Sequence, residues 1–312
     1  MNVIFMGTPD FSVPSLKKII QSDLNITLSL VVTSPDKPRQ NARSEPQPTP
    51  VKRAALELGL PVLEVEDIKS PEFAAKIREA QPDVIVVVAF RILPEQVFTI
   101  PTKGTFNLHA SLLPKYRGAA PINWAIINGD KESGVTTFFI QQKVDTGTMI
   151  LQRKTAIGEN ETATELAVRL ADIGAEAVVE TLRMIAQNQV QPAFQDDALA
   201  TKAPKLTKEN TRIEWGKSAT RVFDFIRGLA DRPTAWTMFE GKMVKIYSAA
   251  PCAHRETDSV APGTWLIRDG KLMASCGNEP LEVLSLQIEG KNRMSSTDFL
   301  RGYRPHGKER FE

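Results

Sequence analysis

The sequence predicts an α/β fold, a parallel sheet covered by helices on both faces, followed by a small all-β domain. Two observations carry the first half. Short apolar runs alternate with segments of helical periodicity up to about residue 186, and strands buried on both faces read as such runs. The strand-then-helix order is the one a parallel sheet requires. One observation carries the second half: beyond about residue 208, short strand-like pieces are punctuated by Gly, Asp and Pro, the pattern of a small barrel or sandwich. At 312 residues the chain exceeds what one hydrophobic core usually organises, so two domains are expected.

In chain order, Val3 to Met6, Ile26 to Thr33, Asp83 to Ala89, Thr105 to Leu108 and Val135 to Ile140 read as strands. Between them Ser12 to Ile20, Val51 to Leu58 and Pro71 to Ala80 read as helices, and Thr49 before Pro50 offers an N-cap and N1 pair. A long helix from about Thr164 to Ala186 closes this half. Periodicity is then lost from Gln187 to Lys208, a stretch holding Pro192 and Pro204. The expected organisation is a first domain over 1–188, a linker over 189–208 and a second domain over 209–312. In the second domain Thr211 to Trp215, Ala235 to Phe239, Lys242 to Tyr247, Gly263 to Ile267, Lys271 to Ala274 and Pro280 to Gln287 read as strands, and Ser218 to Gly228 as a helix.

An apolar fraction of 42% with 24% charged residues excludes disordered and collagen-like chains. Net charge is +2, but unevenly spread. Residues 1–200 carry 20 basic against 23 acidic side chains and residues 201–312 carry 19 against 14, a bias that suits a polyanionic partner or simply a solvated surface. MNVIFMGTPDF lacks the basic region and long apolar run of a signal peptide or membrane span, so a cytoplasmic protein is expected. Cys252 and Cys276 make neither a disulfide framework nor a zinc quartet, and no metal is expected.

In open α/β sheets ligands bind beyond the carboxyl ends of the strands, which directs attention to GTFNLHASLLPKYRGAAP at 104–121. Positions i and i+2 of a strand share a face, so Asn107 and His109 converge while Leu108 points away. A lone histidine is more often structural than catalytic. Its setting raises the catalytic reading, because Ser111 to Pro114 ends the strand and Lys115, Tyr116, Arg117 and Gly118 follow as a basic turn. A second stretch, GVTTFFIQQKVDTGTMI at 134–150, runs into an Asp145-Thr146-Gly147 turn, which by itself reads as a chain reversal. Together Asn107, His109 and Asp145 supply an oxyanion donor, a protonatable ring and a carboxylate, the parts acyl transfer to an amine needs.

Asn-x-His, Ser-Leu-Leu-Pro and the Asp-Thr-Gly turn at this spacing resemble the formyltransferase family that uses 10-formyltetrahydrofolate. GTPDF, PDKP at 35–38, PTPVK at 48–52, VVVAFRILP at 86–94, YRGAAPINWAIINGD at 116–130, IEW at 213–215, IRGLADRPTAWT at 226–237 and EGKNRMSSTDFLRGYRP at 289–305 are similar to the members acting on initiator methionyl-tRNA. The resemblance spans essentially the whole chain. It implies a Rossmann-like catalytic domain, an OB-like barrel that binds tRNA, and a monomer. By it, Asn107 holds the formyl oxygen, His109 acts as general acid or charge stabiliser, and Asp145 orients His109, favours its charged form and assists proton removal. Folate contacts are implied for Val88, Ala89, Phe90, Arg91, Ile92, Leu93, Ser111, Leu112, Leu113, Pro114, Gln141 and Val144. Contacts to tRNA are implied for Lys37, Arg39, Arg43, Lys205, Lys208 and Arg227.

Three departures from the family pattern stand out. The loop PDKPRQNARSEPQPTP lacks the usual glycine, Thr148 stands where aspartate is common, and Arg91 where a glycine-bearing variant is frequent. Two other readings compete. A sugar-nucleotide N-formyltransferase would share the catalytic trio, and a non-catalytic RNA-binding protein would use the basic domain, with Trp236, Phe239 and Tyr247 stacking on bases. A dehydrogenase is disfavoured, because the first strand leads to Gly7-Thr8-Pro9-Asp10 rather than a three-glycine phosphate turn.

Overall fold

A computed structural model describes residues 1–36, 46–252 and 260–312. Its contacts divide the chain into two compact units: Met1–Gly118, Ser133–Thr155 and Ala167–Lys202 form the first, and Ala119–Glu132, Ala156–Leu166 and Ala203–Glu312 the second. The expected linker is shared, its first part in one unit and its last residues in the other.

The first unit is built on strands β1 (Asn2–Gly7), β2 (Thr27–Thr33), β3 (Val62–Glu64), β4 (Val84–Val88), β5 (Thr105–His109), β7 (Glu132–Phe139) and β8 (Met149–Ala156), in the spatial order β3-β2-β1-β4-β5-β7-β8. The two-residue β6 (Arg117–Gly118) lies outside this sheet. Helices α1 (Val13–Gln21), α2 (Pro50–Glu57), α3 (Pro71–Glu79) and the short α4 (Glu95–Phe98) connect the early strands. The Thr49 N-cap is where the sequence puts it, Oγ1 accepting the Lys52 N–H at 3.2 Å, and Ser70 Oγ caps α3 in the same way, accepting the Phe73 N–H at 3.1 Å. Every residue of β4, Val-Ile-Val-Val-Val, is buried, and Ile4, Met6, Val32, Phe73, Ile77, Ile85 and Val87 share one core.

The sheet differs from expectation in being mixed. Strands β1 to β5 pair in parallel, but β7 runs antiparallel to β5, with Asn107 opposite Phe138 and His109 opposite Thr136. A parallel return needs a crossover covering the same sheet. The helix between these strands, α5 (Pro121–Ile127), belongs instead to the second unit. Strand β8 escapes sequence reading because its Gln152-Arg153-Lys154 centre is exposed, as an outermost strand allows, and leaves no apolar run.

The second unit holds α7 (Ala219–Gly228) and an antiparallel sheet of β10 (Ala235–Phe239), β11 (Lys242–Pro251), β14 (Pro280–Ile288), β13 (Lys271–Ser275) and β12 (Trp265–Arg268) in that spatial order, with β15 (Met294–Ser295) beside β14. Register shifts in β11 around Tyr247 are bulges that bend a sheet toward closure, consistent with a small barrel. Thr211 to Trp215, expected as a strand, is a 3-10 turn over Glu209–Thr211 followed by a single bridge from Arg212 to Trp236. The core is aromatic: Phe239 stacks on Trp265 at 4.3 Å and Trp215 on Phe311 at 5.3 Å. Phe239 is therefore packing, not a platform for bases. Helix α5 packs on α7 here, with Asn123 Nδ2 donating to the Gly228 carbonyl at 2.8 Å.

Candidate active site

Strand β5 presents its side chains as its pleat dictates. Leu108 meets Gly174 of the long helix α6 (Ala163–Ala186), where an added Cβ would lie 2.6 Å from a Leu108 methyl. Asn107, on the other face, lines an open cleft with Val87, Phe90, Arg91, Ile92, Leu93, Phe138, Ile140, Gln141, Val144 and Asp145, about 480 Å³ of empty space. The cleft sits at the carboxyl ends of β4 and β5, the position general to open α/β sheets. Most of its lining is apolar; Ile92 and Val144 remain 69% and 44% exposed, apolar surface that a flat aromatic ligand would cover. Among the described residues the Asn107 amide has no side-chain hydrogen bond within the protein.

His109 is buried behind this lining. Its Nε2 lies 2.8 Å from the Tyr116 carbonyl, and Nδ1 lies 3.8 Å from Asp145 Oδ2. A carbonyl only accepts, so Nε2 carries the proton and Nδ1 is the basic nitrogen. A proton added at Nδ1 would place an imidazolium between a carbonyl and a carboxylate. Asp145 Oδ2 also accepts the Gly118 N–H at 2.9 Å, and Asp145 takes φ +55°, the left-handed region that costs an L residue about 1 kcal/mol. Gly147 explains the tightness of the turn, because a Cβ there would stand 1.6 Å from the Phe139 carbonyl oxygen.

The turn is held from outside by Arg117 of the basic turn together with Gln195 and Asp197, which no sequence motif marks. Gln195 Nε2 donates to the Asp145 carbonyl at 2.9 Å and the Gly147 carbonyl at 2.8 Å. Gln195 Oε1 accepts from Arg117 Nε at 3.1 Å and Nη2 at 2.8 Å, and Arg117 Nη2 pairs with Asp197 Oδ1 at 2.7 Å. That hydrogen bond and the guanidinium charge hold the Asp197 carboxyl below its ordinary range.

Comparison with known proteins decides the family. The formyl transferase pattern matches residues 1–182 and the formyl transferase C-terminal domain matches residues 205–304. The chain belongs to the formyl transferase family. It is 58% identical to methionyl-tRNA formyltransferase of Chlorobium phaeovibrioides over 97% of this chain and 96% of that protein. Methionyl-tRNA formyltransferase of Caldanaerobacter subterraneus is 44% identical over 97% of both. Among solved structures, an N-formyltransferase from Helicobacter canadensis in complex with folinic acid and dTDP-3-aminofucose superposes with a TM-score of 0.66 at 19% identity, covering 92% of this chain and 98% of that one. That likeness concerns the fold.

Within this family member the expected folate residues separate into two groups. Phe90, Arg91, Ile92, Leu93, Gln141 and Val144 line the cleft, which adds Val87, Phe138 and Ile140 to them. Val88, Ala89, Ser111, Leu112, Leu113 and Pro114 do not line it. Val88 is buried in its strand and Ala89 is exposed beyond it. Ser111 and Leu113 are buried, their backbone oxygens accepting from Thr136 Oγ1 and Gln152 Nε2. Arg91 turns away from solvent: Nη1 donates to the Glu66 carbonyl at 2.7 Å, Nη2 to the Val65 carbonyl, and burial lowers its pKa from the ordinary value. Arg91 thus anchors the 90–93 segment.

The expected tRNA residues also separate. Lys37, Arg39 and Arg43 lie outside the described residues. Lys205 and Lys208 are exposed, and Lys208 Nζ stands 5.5 Å over the Trp236 ring, with Arg212 at the same distance. Arg227 requires correction. It is 5% exposed, paired with Asp224 at 2.7 Å and donating to the Glu161 and Gly158 carbonyls at 2.7 and 3.3 Å, so its guanidinium is committed to the interior and does not face a phosphate. A second cleft with about 820 Å³ of empty space, lined by Arg212, Lys217, Arg221, Asn210, Trp124 and Phe225 among others, was not legible as a site.

Gly147→Ala is expected to move the Asp145 turn. Overpacking costs about 1 to 3 kcal/mol, and a misplacement near 1 Å costs on the order of a hundredfold in rate. Melting and turnover should both fall, whereas Gly216→Ala, with nothing within 4 Å of its Cβ, should match wild type. A Gly147→Ala protein with normal turnover would show that the turn tolerates displacement.

Proposed function

We propose that this protein transfers the formyl group of 10-formyltetrahydrofolate to the α-amino group of methionine carried by initiator tRNA. The observation that carries the reading is one cleft at the carboxyl ends of β4 and β5, lined by both Asn107 and Asp145 with His109 directly behind. 10-Formyltetrahydrofolate supplies the formyl carbon, which exchanges its bond to the folate nitrogen for one to the methionine nitrogen; a proton leaves the amine and a proton reaches the departing nitrogen. Asn107 donates its amide N–H toward the formyl oxygen as negative charge grows there, a contact worth about 3 to 4 kcal/mol in comparable sites. His109 holds a positive charge beside that oxygen when Nδ1 is protonated, and Asp145 stabilises it and draws the proton from the attacking amine. Phe90, Ile92, Ile140 and Val144 offer apolar walls to a pterin, and the main chain from Phe90 to Leu93 offers donors and acceptors at its edge.

Residues 1–188 act as the catalytic domain, 189–208 as a linker and 209–312 as the tRNA-binding domain. Lys37, Arg39, Arg43, Lys205 and Lys208 meet phosphates, and Arg212 and Arg221 line a second cleft, shared with Glu209 and Glu214, that lies beside Lys208 in the chain. The protein works as a monomer in the cytoplasm. The test uses formyl-labelled folate with methionyl-tRNA, uncharged tRNA and a dTDP-amino sugar as acceptors. Label is expected in methionyl-tRNA alone, with KM rising steeply with salt as phosphate contacts release counterions. Label in the amino sugar would establish the sugar-nucleotide reading, and label in none would defeat both.

A further inference from the structure

The segment following α6 has no motif and little regular structure beyond a bridge at Ala193 and a 3-10 turn over Asp197–Leu199, yet it supplies the only side chain among the described residues that bonds the main chain on both sides of Thr146. Gln195 uses its whole amide for this. Its two N–H groups reach the carbonyls of Asp145 and Gly147, and its oxygen takes two N–H groups of Arg117, leaving no donor idle. Arg117 is largely buried, and its outer nitrogen is paired with Asp197, so the orientation of the amide is itself set. Gly118, next to Arg117, donates its backbone N–H to the carboxylate of Asp145. The carboxylate and the carbonyl of one residue are thus held from one short stretch, 117–118, directly and through Gln195. Asp145 needs such restraint, since φ +55° is a conformation that persists only where the surroundings over-determine it.

We propose that Gln195, locked by Arg117, is a positioning residue for the formyl-transfer reaction: it holds the Asp145 turn so that the carboxylate stays against His109. The inference rests on the roles proposed above for Asp145 and His109. Gln195 touches neither the cleft nor His109, so it acts through Asp145 alone. It follows that the stretch after α6 is part of the active-site framework as well as a connection.

Gln195→Glu is the informative change. It keeps the size and pairs with Arg117, but replaces both N–H donors with an acceptor facing two carbonyls. Its turnover with methionyl-tRNA is expected to fall tenfold or more, with folate KM within twofold of wild type. Gln195→Ala, which removes the bridge without adding charge, should show the same division. In an Asp145→Asn background, adding Gln195→Glu should cost less than twofold further, because groups acting as one unit are not additive. Near-wild-type turnover for both single variants would overturn the proposal, as would parallel losses in folate KM and turnover, or a full tenfold loss on top of Asp145→Asn. Wild-type turnover in the same series reports on the reaction itself: an active wild type with unaffected variants removes the positioning role and leaves the formyl-transfer reading intact, whereas an Asp145→Asn protein as active as wild type removes the role of Asp145 on which both rest.

Discussion

His109→Ala is expected to lower formyl transfer to methionyl-tRNA by on the order of a hundredfold or more while the protein still folds. In the proposed role the ring carries a positive charge beside the growing negative charge, and a preorganised charge in a water-poor setting is worth several kcal/mol. Asp145→Asn should fall comparably and is the cleaner variant, since the amide keeps an acceptor for the Gly118 N–H and deletes only the charge. The double variant should be little worse than either single one, because ring and carboxylate act together across 3.8 Å. Steady-state turnover with a thermal melt of each variant checks this. Turnover near wild type in either single variant would remove the trio from the mechanism.

Arg227→Ala should produce the largest loss of stability. Asp224 is itself only 5% exposed, and its partner contributes two hydrogen bonds from one guanidinium, at 2.7 and 2.8 Å. Deleting one member of a buried pair leaves an uncompensated charge and costs about 3 to 5 kcal/mol. For a domain of this size that is on the order of ten degrees of melting temperature. Replacing Arg227 and Asp224 together by apolar residues should recover much of the loss, since the stranded charge is gone. The resemblance implied a phosphate contact at Arg227, and that role would show differently: an unchanged melt, weaker tRNA binding and a shallower salt dependence. Those three results together would restore it.

The elements most legible in the sequence are those whose signal is local. Thr49-Pro50 marks a helix start because a cap hydroxyl and a proline act within one turn. Val84 to Val88 reads as a buried parallel strand because every side chain is apolar. Asn107 and His109 were readable because a strand has period two, and Asp145 because Asp-Thr-Gly is a turn with a specific family likeness. The edge strand β8 was not readable, since exposure on an outer strand permits polar residues. The antiparallel entry of β7 was not readable either, since direction depends on where the intervening helix packs.

By itself the sequence determined the alternating α/β domain and the β-rich second domain, each through spacing along a few residues, and it marked Asn107 and His109 as candidates through strand period and Asp145 through family likeness. Tertiary structure alone decided which long side chains face inward. Arg91 reads as a folate contact and Arg227 as a tRNA contact, yet both close hydrogen bonds to distant carbonyls, and Gln195 reads as linker, yet it holds the turn fifty residues earlier. The physical reason is reach. A hydrogen bond at 2.8 Å is fixed by where two chain segments meet, and nothing in the local pattern of either segment records that meeting.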